Sequence, residues 1–312
     1  MNEYYPTDSL KSPRYSGIPT FMRLPVEDDP SKIDVAIVGI PFDSGVTYRP
    51  GARMAPRDIR VQSALIRPYN PVLKVDPFKL HRVADFGDIV ANPFSIEDAL
   101  QAIHRAISEL LHSGVTPVIV GGDHTITLPT LRAMHEVYGP VAVVHFDAHL
   151  DTWDSYFGSR YTHGTWFRRA VDEGLVMTDR SYQIGLRGQV YSEEDFDFSL
   201  RNGFRMVTIE ELKENRGAKG LVEQFQALGD TRVYVSFDID CIDPAFAPGT
   251  GTPQIGGMDS FEAVQLIRGL KGLDIVGVDM VEVSPSYDSG GITSLLAANL
   301  LYEFLCVLPA KK

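Results

Sequence analysis

One stretch limits what this chain can fold into more than any other. It is Val141-Ala142-Val143-Val144-His145-Phe146-Asp147-Ala148-His149-Leu150-Asp151. It opens as an apolar, β-branched run, the pattern of a strand buried on both faces. It ends in three possible metal ligands at alternate positions, Asp147, His149 and Asp151. Side chains on an extended segment repeat with a period of two, so continued extension would point all three the same way. Two carboxylates and an imidazole buried side by side are costly unless a cation neutralises them. A polar loop after a strand is the plainer reading. A second such ending, Asp238-Ile239-Asp240 after Val233–Phe237, argues against it.

The rest of the chain repeats the strand-then-helix alternation. Strands are expected over Asp34–Ile40, Val83–Asp88, Pro117–Val120, Ser181–Leu186, Phe204–Thr208, Val233–Phe237 and Ile275–Val283. Ser95 is placed to cap a helix whose apolar residues Ile96, Leu100, Ile103, Ile107, Leu110 and Leu111 recur at helical spacing and which Gly114 closes. Further helices are expected near Arg57 and over Leu128–Val137, Val222–Leu228, Phe261–Leu270 and Ser294–Leu308. Such alternation predicts an α/β fold with a mostly parallel sheet covered on both faces. No linker splits the chain, so residues 32–312 read as one domain. Residues 1–31, rich in Pro, Ser and charge, read as an arm whose apolar knot Ile18-Pro19-Thr20-Phe21-Met22 packs on something, such as a neighbouring subunit.

Composition narrows the partners. A net charge of -12 disfavours nucleic acid and anionic membrane surfaces and tolerates a cationic small molecule. No apolar run approaches membrane-spanning length. Met1–Arg14 has no apolar signal core, and two cysteines, Cys241 and Cys306, are too few for a disulfide framework. The expected location is the cytoplasm.

Three strand ends carry the chemistry: Gly121-Gly122-Asp123-His124, Asp147-x-His149-x-Asp151 and Asp238-x-Asp240. In open parallel sheets, sites form at the carboxyl ends of strands. His124, Asp147, His149, Asp151, Asp238 and Asp240 offer mainly hard oxygen donors with two imidazoles, and Asp123 stands in reserve. That set suits two Mn²⁺ ions, and it also admits Ni²⁺ or Co²⁺. A single Zn²⁺ would take fewer carboxylates. Two adjacent ions can share a hydroxide that is nucleophilic at neutral pH. His145 reads as a packed core histidine. His163 is either a proton shuttle on a loop leaving the cluster or a surface residue. Glu282, at the end of an apolar strand, faces the site, forms a pair or is solvated. Facing the site, its carboxylate would match a planar guanidinium.

These residues resemble the ureohydrolase (arginase–agmatinase) family. The matching motifs are Gly121-Gly122-Asp123-His124, Asp147–Asp151, His163-Gly164-Thr165, Ser236–Pro244 and Glu282-Val283-Ser284-Pro285, with Arg49–Arg53 and the agmatinase-like Ala247–Pro253. The resemblance implies a three-layer α/β/α fold with an eight-stranded, mostly parallel sheet, a binuclear Mn²⁺ site, and trimers or hexamers. It implies one metal held by His124, Asp147, Asp151 and Asp238 and another by Asp147, His149, Asp238 and Asp240. It makes His163 the acid/base and Glu282 the group that orients the guanidinium. Leu150 and Ala55 depart from the family pattern, and Leu150 is expected to reshape the pocket mouth.

The loop Thr152–Thr162 should decide the substrate. Asp154 could meet the ammonium of agmatine, and Arg160 the carboxylate of a guanidino acid. Trp153 and Tyr156 would shape the pocket. Agmatine hydrolysed to putrescine is the expected reaction, with 4-guanidinobutyrate or 3-guanidinopropionate as alternatives. A catalytically silent metal-bound protein and a deacetylase-like Zn²⁺ enzyme are the readings from other classes.

Overall fold

β-branched and apolar residues fill eight short strands that form one sheet. They are β1 (Val35–Gly39), β2 (Val83–Asp88), β3 (Thr116–Val120), β4 (Ala142–Phe146), β5 (Tyr182–Leu186), β6 (Arg205–Thr208), β7 (Arg232–Asp238) and β8 (Asp274–Val281). The computed structural model describes residues 3–214 and 217–310. The strand order is β2-β1-β3-β8-β7-β4-β5-β6, and every pairing between these strands is parallel. Every residue of β4 is buried, as two-sided coverage requires.

Alternation along the strands divides the core in two. Val144, Phe146, Val235 and Phe237 face one apolar cluster, which Ala263, Leu266, Ala297 and Leu301 complete from helices Ser260–Gly269 and Ile292–Val307. Val141, Val143 and Tyr234 face the other, covered by helices Ile96–His112 and Thr127–Tyr138 through Ile103, Ile107, Leu131 and Met134. The result is a three-layer α/β/α architecture with an eight-stranded sheet.

Local chemistry sets the helix ends. The Ser95 side chain accepts the Asp98 N–H, and Gly114 adopts φ +74 just past the helix. Four short helices were not expected: Pro77–Leu80, Trp166–Asp172, Asp197–Arg201 and Ile209–Glu214. Each is too short for an apolar stripe to repeat. The segment expected as a helix over Val222–Leu228 is instead a helix at Ala218–Phe225 followed by a 3₁₀ turn at Gln226–Leu228.

The N-terminal segment is tied to its own body. The first two residues of the expected arm lie outside the described residues. The apolar knot divides: Phe21 and Met22 are buried, whereas Ile18 is exposed. The Phe21 N–H donates to Asp85 Oδ2 at 2.9 Å, and the Tyr5 hydroxyl donates to Asp76 at 2.8 Å. Among the described residues, no helix is long and apolar enough to cross a membrane.

Candidate metal centre and active site

The chemistry sits where four neighbouring central strands end: β3, β8, β7 and β4. At three of those ends the chain turns in the same way. An aspartate leaves the strand and accepts the N–H two residues on: Thr125 N–H to Asp123 at 2.9 Å, His149 N–H to Asp147 at 2.6 Å, and Asp240 N–H to Asp238 at 2.8 Å. Such aspartate turns stop a strand and fold the following residues back over its end. This corrects the expectation of continued extension. β4 stops at Phe146, and Asp151 lies in the left-handed region at φ +55. A bend, not strand alternation, brings Asp147, His149 and Asp151 together.

Two groups result. His124 Nδ1 lies 3.2 Å from Asp147 Oδ2, 3.1 Å from Asp151 Oδ2 and 3.2 Å from Asp238 Oδ2. His149 Nδ1 lies 3.3 Å from Asp147 Oδ1 and 3.1 Å from Asp240 Oδ2. Asp147 thus turns one oxygen to each group. His124, Asp147, Asp238 and Asp240 are buried. Burial discourages charge on His124, yet its contacts with Asp147, Asp151 and Asp238 outweigh that and raise its proton affinity well above the ordinary imidazole range. Burial, with Asp240 and Asp147 beside it, pushes the Asp238 carboxyl well up. A pocket that holds a proton this tightly among crowded carboxylates is one that favours cations. The donor set, carboxylate oxygens with His124 in one group, where His145 also stands close, and His149 in the other, fits hard or borderline divalent metals.

Other side chains brace these donors. Trp166 Nε1–H donates to Asp151 Oδ2 at 2.7 Å, and the Trp166 ring stacks on His124 with centroids 4.7 Å apart. His145 Nε2 lies 2.8 Å from Asp147 Oδ2. His145 is a core residue, as expected, but it also holds a carboxylate of the site. Its shared parity with Asp147 was the available signal. Trp166 gave none. Asp123 joins neither group. It accepts the Gly45 and Thr125 N–H groups and pins the loop after β1, and burial, then the nearby Glu282 charge, push its pKa up to about 7.

His163 and Glu282 meet beside the metal-type cluster. His163 Nδ1 lies 3.2 Å from Glu282 Oε1, and His163 Nε2 lies 2.7 Å from Thr47 Oγ1. Burial pulls the His163 pKa down, but the Glu282 contact more than reverses it, to about 9. Glu282 is buried and sits at φ +63, a strained conformation for a residue with a Cβ. Its Oε1 also accepts the His124 N–H at 2.9 Å.

Above this floor opens a cavity of about 480 Å³, whose lining includes His149, Asp151, Asp238 and His163 below and Trp153, Tyr156, Tyr191 and Arg49 above. Trp153 and Tyr156 both line the cavity. Asp154 and Arg160 do not line the cavity. Asp154 turns away to Arg169 Nη2 at 2.6 Å, because that buried guanidinium needs carboxylate partners, and Arg160 is exposed. Leu150 lies in a small niche with Leu186, Val190 and Phe196, outside the cavity lining. Arg49, which opens the Arg49–Arg53 motif, lines the cavity, and so do Tyr48, Gln189, Tyr191 and Gln254, which carried no signal in the sequence because they come from three separate loops.

Comparison with known proteins extends the picture. The arginase family model matches residues 33–307. The chain is 49% identical over 311 residues to a guanidinobutyrase of Pseudomonas aeruginosa, covering 99% of this chain and 98% of that one. It is 47% identical over 296 residues to a mitochondrial agmatinase of Gallus gallus, covering 95% and 87%. The solved structure of proclavaminate amidino hydrolase from Streptomyces clavuligerus superposes with a TM-score of 0.90 at 44% identity, covering 95% of this chain and all of that one. With a family match over nearly its whole length, relatives near half identity and a superposable fold, this chain belongs to the arginase family of metal-dependent hydrolases.

Proposed function

We propose that the chain hydrolyses a linear guanidino compound to urea and an amine at a pair of divalent metal ions. The observation that carries this reading is Asp147, whose two oxygens face two separate donor groups. His124, Asp147, Asp151 and Asp238 would hold one ion, and Asp147, His149, Asp238 and Asp240 the other. Mn²⁺ is the metal we propose, and the same donors accept Ni²⁺ or Co²⁺. Two such ions, when bound, supply a water nucleophilic at neutral pH and a Lewis acid.

The chain's own residues do the rest. The Glu282 carboxylate receives guanidinium N–H groups, a planar match between fork and carboxylate. Its left-handed backbone and its hydrogen bond from the His124 N–H hold it beside the metal ligands. His163, whose ring faces the Glu282 carboxylate at 3.2 Å, is the group we assign to hold a proton for the leaving amine. Trp153 and Tyr156 line the cavity beside these groups and supply apolar wall for the substrate's chain.

The aromatic wall of Trp153, Tyr156 and Tyr191, with ring centroids 5.1 Å and 5.6 Å from Trp153, favours a cationic tail and hence agmatine, giving putrescine. A guanidino acid such as 4-guanidinobutyrate or 3-guanidinopropionate is the second reading, favoured by Arg49 at the cavity wall. Urea release from these three compounds with Mn²⁺ added tests the proposal. Release from none of them overturns it, and the ranking selects the tail. We further propose residues 32–312 as one catalytic domain in a cytoplasmic trimer or hexamer. Exposed Leu10, Tyr15 and Ile18 on the 1–31 arm support subunit contacts, and both cysteines are unpaired, as a reducing compartment requires. Sedimentation of the full chain measures the assembly.

A further inference from the structure

β8 carries a carboxylate that the reaction does not use. Asp279 is fully buried, and no cationic side chain among the described residues is paired with it. It accepts three hydroxyl hydrogen bonds of 2.7 Å each, from Thr127 Oγ1, Tyr234 OH and Ser236 Oγ. A charge held in a core by neutral donors alone is expensive. The carboxylate calls for an account of what its charge acts on.

An ionised carboxylate only accepts hydrogen bonds, and a serine has one proton to give. Ser236 lies opposite Asp279 in the β7–β8 register and gives that proton to Oδ1. Its oxygen also lies 2.8 Å from His124 Nε2. With its only proton spent, Ser236 must accept there, so His124 Nε2 carries the hydrogen. The lone pair of the neutral ring is then on Nδ1. Nδ1 is the atom that lies 3.1 to 3.2 Å from the carboxylates of Asp147, Asp151 and Asp238 and has no hydrogen-bond partner of its own. A lone pair aimed at three carboxylates is tolerable only with a cation between them.

We propose that Asp279 and Ser236 are positioning residues that fix the tautomer and ring orientation of His124 as a metal ligand. The charge of Asp279 acts through the Ser236 hydroxyl to make His124 a stronger donor. The proposal rests on the two-ion reading of the cluster above. A carboxylate or carbonyl behind a ligating histidine typically changes metal affinity by roughly 10–100-fold. Only one of the two ions should feel this one, because His149 lies in the other group.

Equilibrium dialysis of the full chain against graded free Mn²⁺, with bound metal counted by elemental analysis, tests it. Wild type should take up two ions. In Ser236→Ala, one ion should bind roughly 10–100-fold more weakly and the other as before. Asp279→Asn should shift the same ion in the same direction. The double variant should lose no more than Ser236→Ala alone, because Asp279 acts through that hydroxyl. Thr127→Val removes a different hydrogen bond to Asp279. It should lower the unfolding temperature and leave both affinities unchanged. If Ser236→Ala, a small change at a small residue, binds both ions as wild type does, the relay is overturned whatever Asp279→Asn does. Additive losses in the double variant also overturn it. Failure of wild type itself to bind two ions overturns the two-ion reading, and the relay with it.

Discussion

Asp147 sits between two imidazole-carboxylate groups with one oxygen committed to each. Replacing it by asparagine keeps the shape and removes the charge that both cations share. Asp147→Asn should therefore lose both metals and nearly all turnover, as read by elemental analysis and urea release. Retention of two ions would show that the oxygens are not shared. Glu282→Gln should reduce kcat/KM for every guanidino substrate by a similar factor, about ten- to a hundredfold, since a hydrogen bond to a charged group is worth roughly 1.5–3 kcal/mol and all substrates share that end. Unequal losses across the panel would place Glu282 at the tail instead. The donors were legible in the sequence because aspartate and histidine are costly at the ends of buried strands. Asp279 and Trp166 were not, and Ser236 stood in a matching motif without a role, because the meaning of these residues comes from neighbours distant in the chain.

At the scale of elements, the strand ends decide the geometry. Gly122 closes β3 beside the loop after β1, and a Cβ on it would overlap the Phe42 carbonyl. Gly122→Ala must displace one of the two backbones. It should cost about 1–3 kcal/mol of stability in a denaturant melt and weaken metal binding through the adjacent His124. Normal stability with normal metal content would show that the loop gives way freely. The loop Thr152–Thr162 yields a contrast. Asp154 serves Arg169, so Asp154→Ala should leave the ranking of substrates unchanged, whereas Trp153→Ala should raise KM. A changed ranking in Asp154→Ala would mean that the side chain leaves Arg169 to meet substrate. The strands and long helices could be read from periodicity. The aspartate turns could not, because the alternating pattern of Asp147, His149 and Asp151 imitates a strand that has already ended.

For the whole molecule, folding is linked to protons. The His163 pKa of about 9 lies above the roughly 6.5 of a histidine in the unfolded chain. Its contribution to stability is therefore complete below the unfolded value and is lost as pH rises through the folded one. The unfolding free energy of chelator-treated protein should fall between about pH 6.5 and 9. His124 and His149 are shifted in the same direction, so the informative quantity is the difference from His163→Asn. That difference should narrow as pH rises, and a constant gap would mean that His163 keeps its ordinary pKa in the fold.

The place of β8 in the strand order reaches beyond the mature enzyme. It is the last strand among the described residues, yet it lies between β3 and β7 in the middle of the sheet. Without residues 274–281, the strand order would leave two slabs, β2-β1-β3 and β7-β4-β5-β6. Each slab ends in an unpaired strand, and such edges invite association with other chains. His124 belongs to the first slab, while Asp147, His149, Asp151, Asp238 and Asp240 belong to the second. A nascent chain still lacking that strand would carry two adhesive edges and a divided metal site. Neither is resolved until the final strand slides into the gap. A chain that stops short of that strand is left with a strong tendency to aggregate and with no complete metal site.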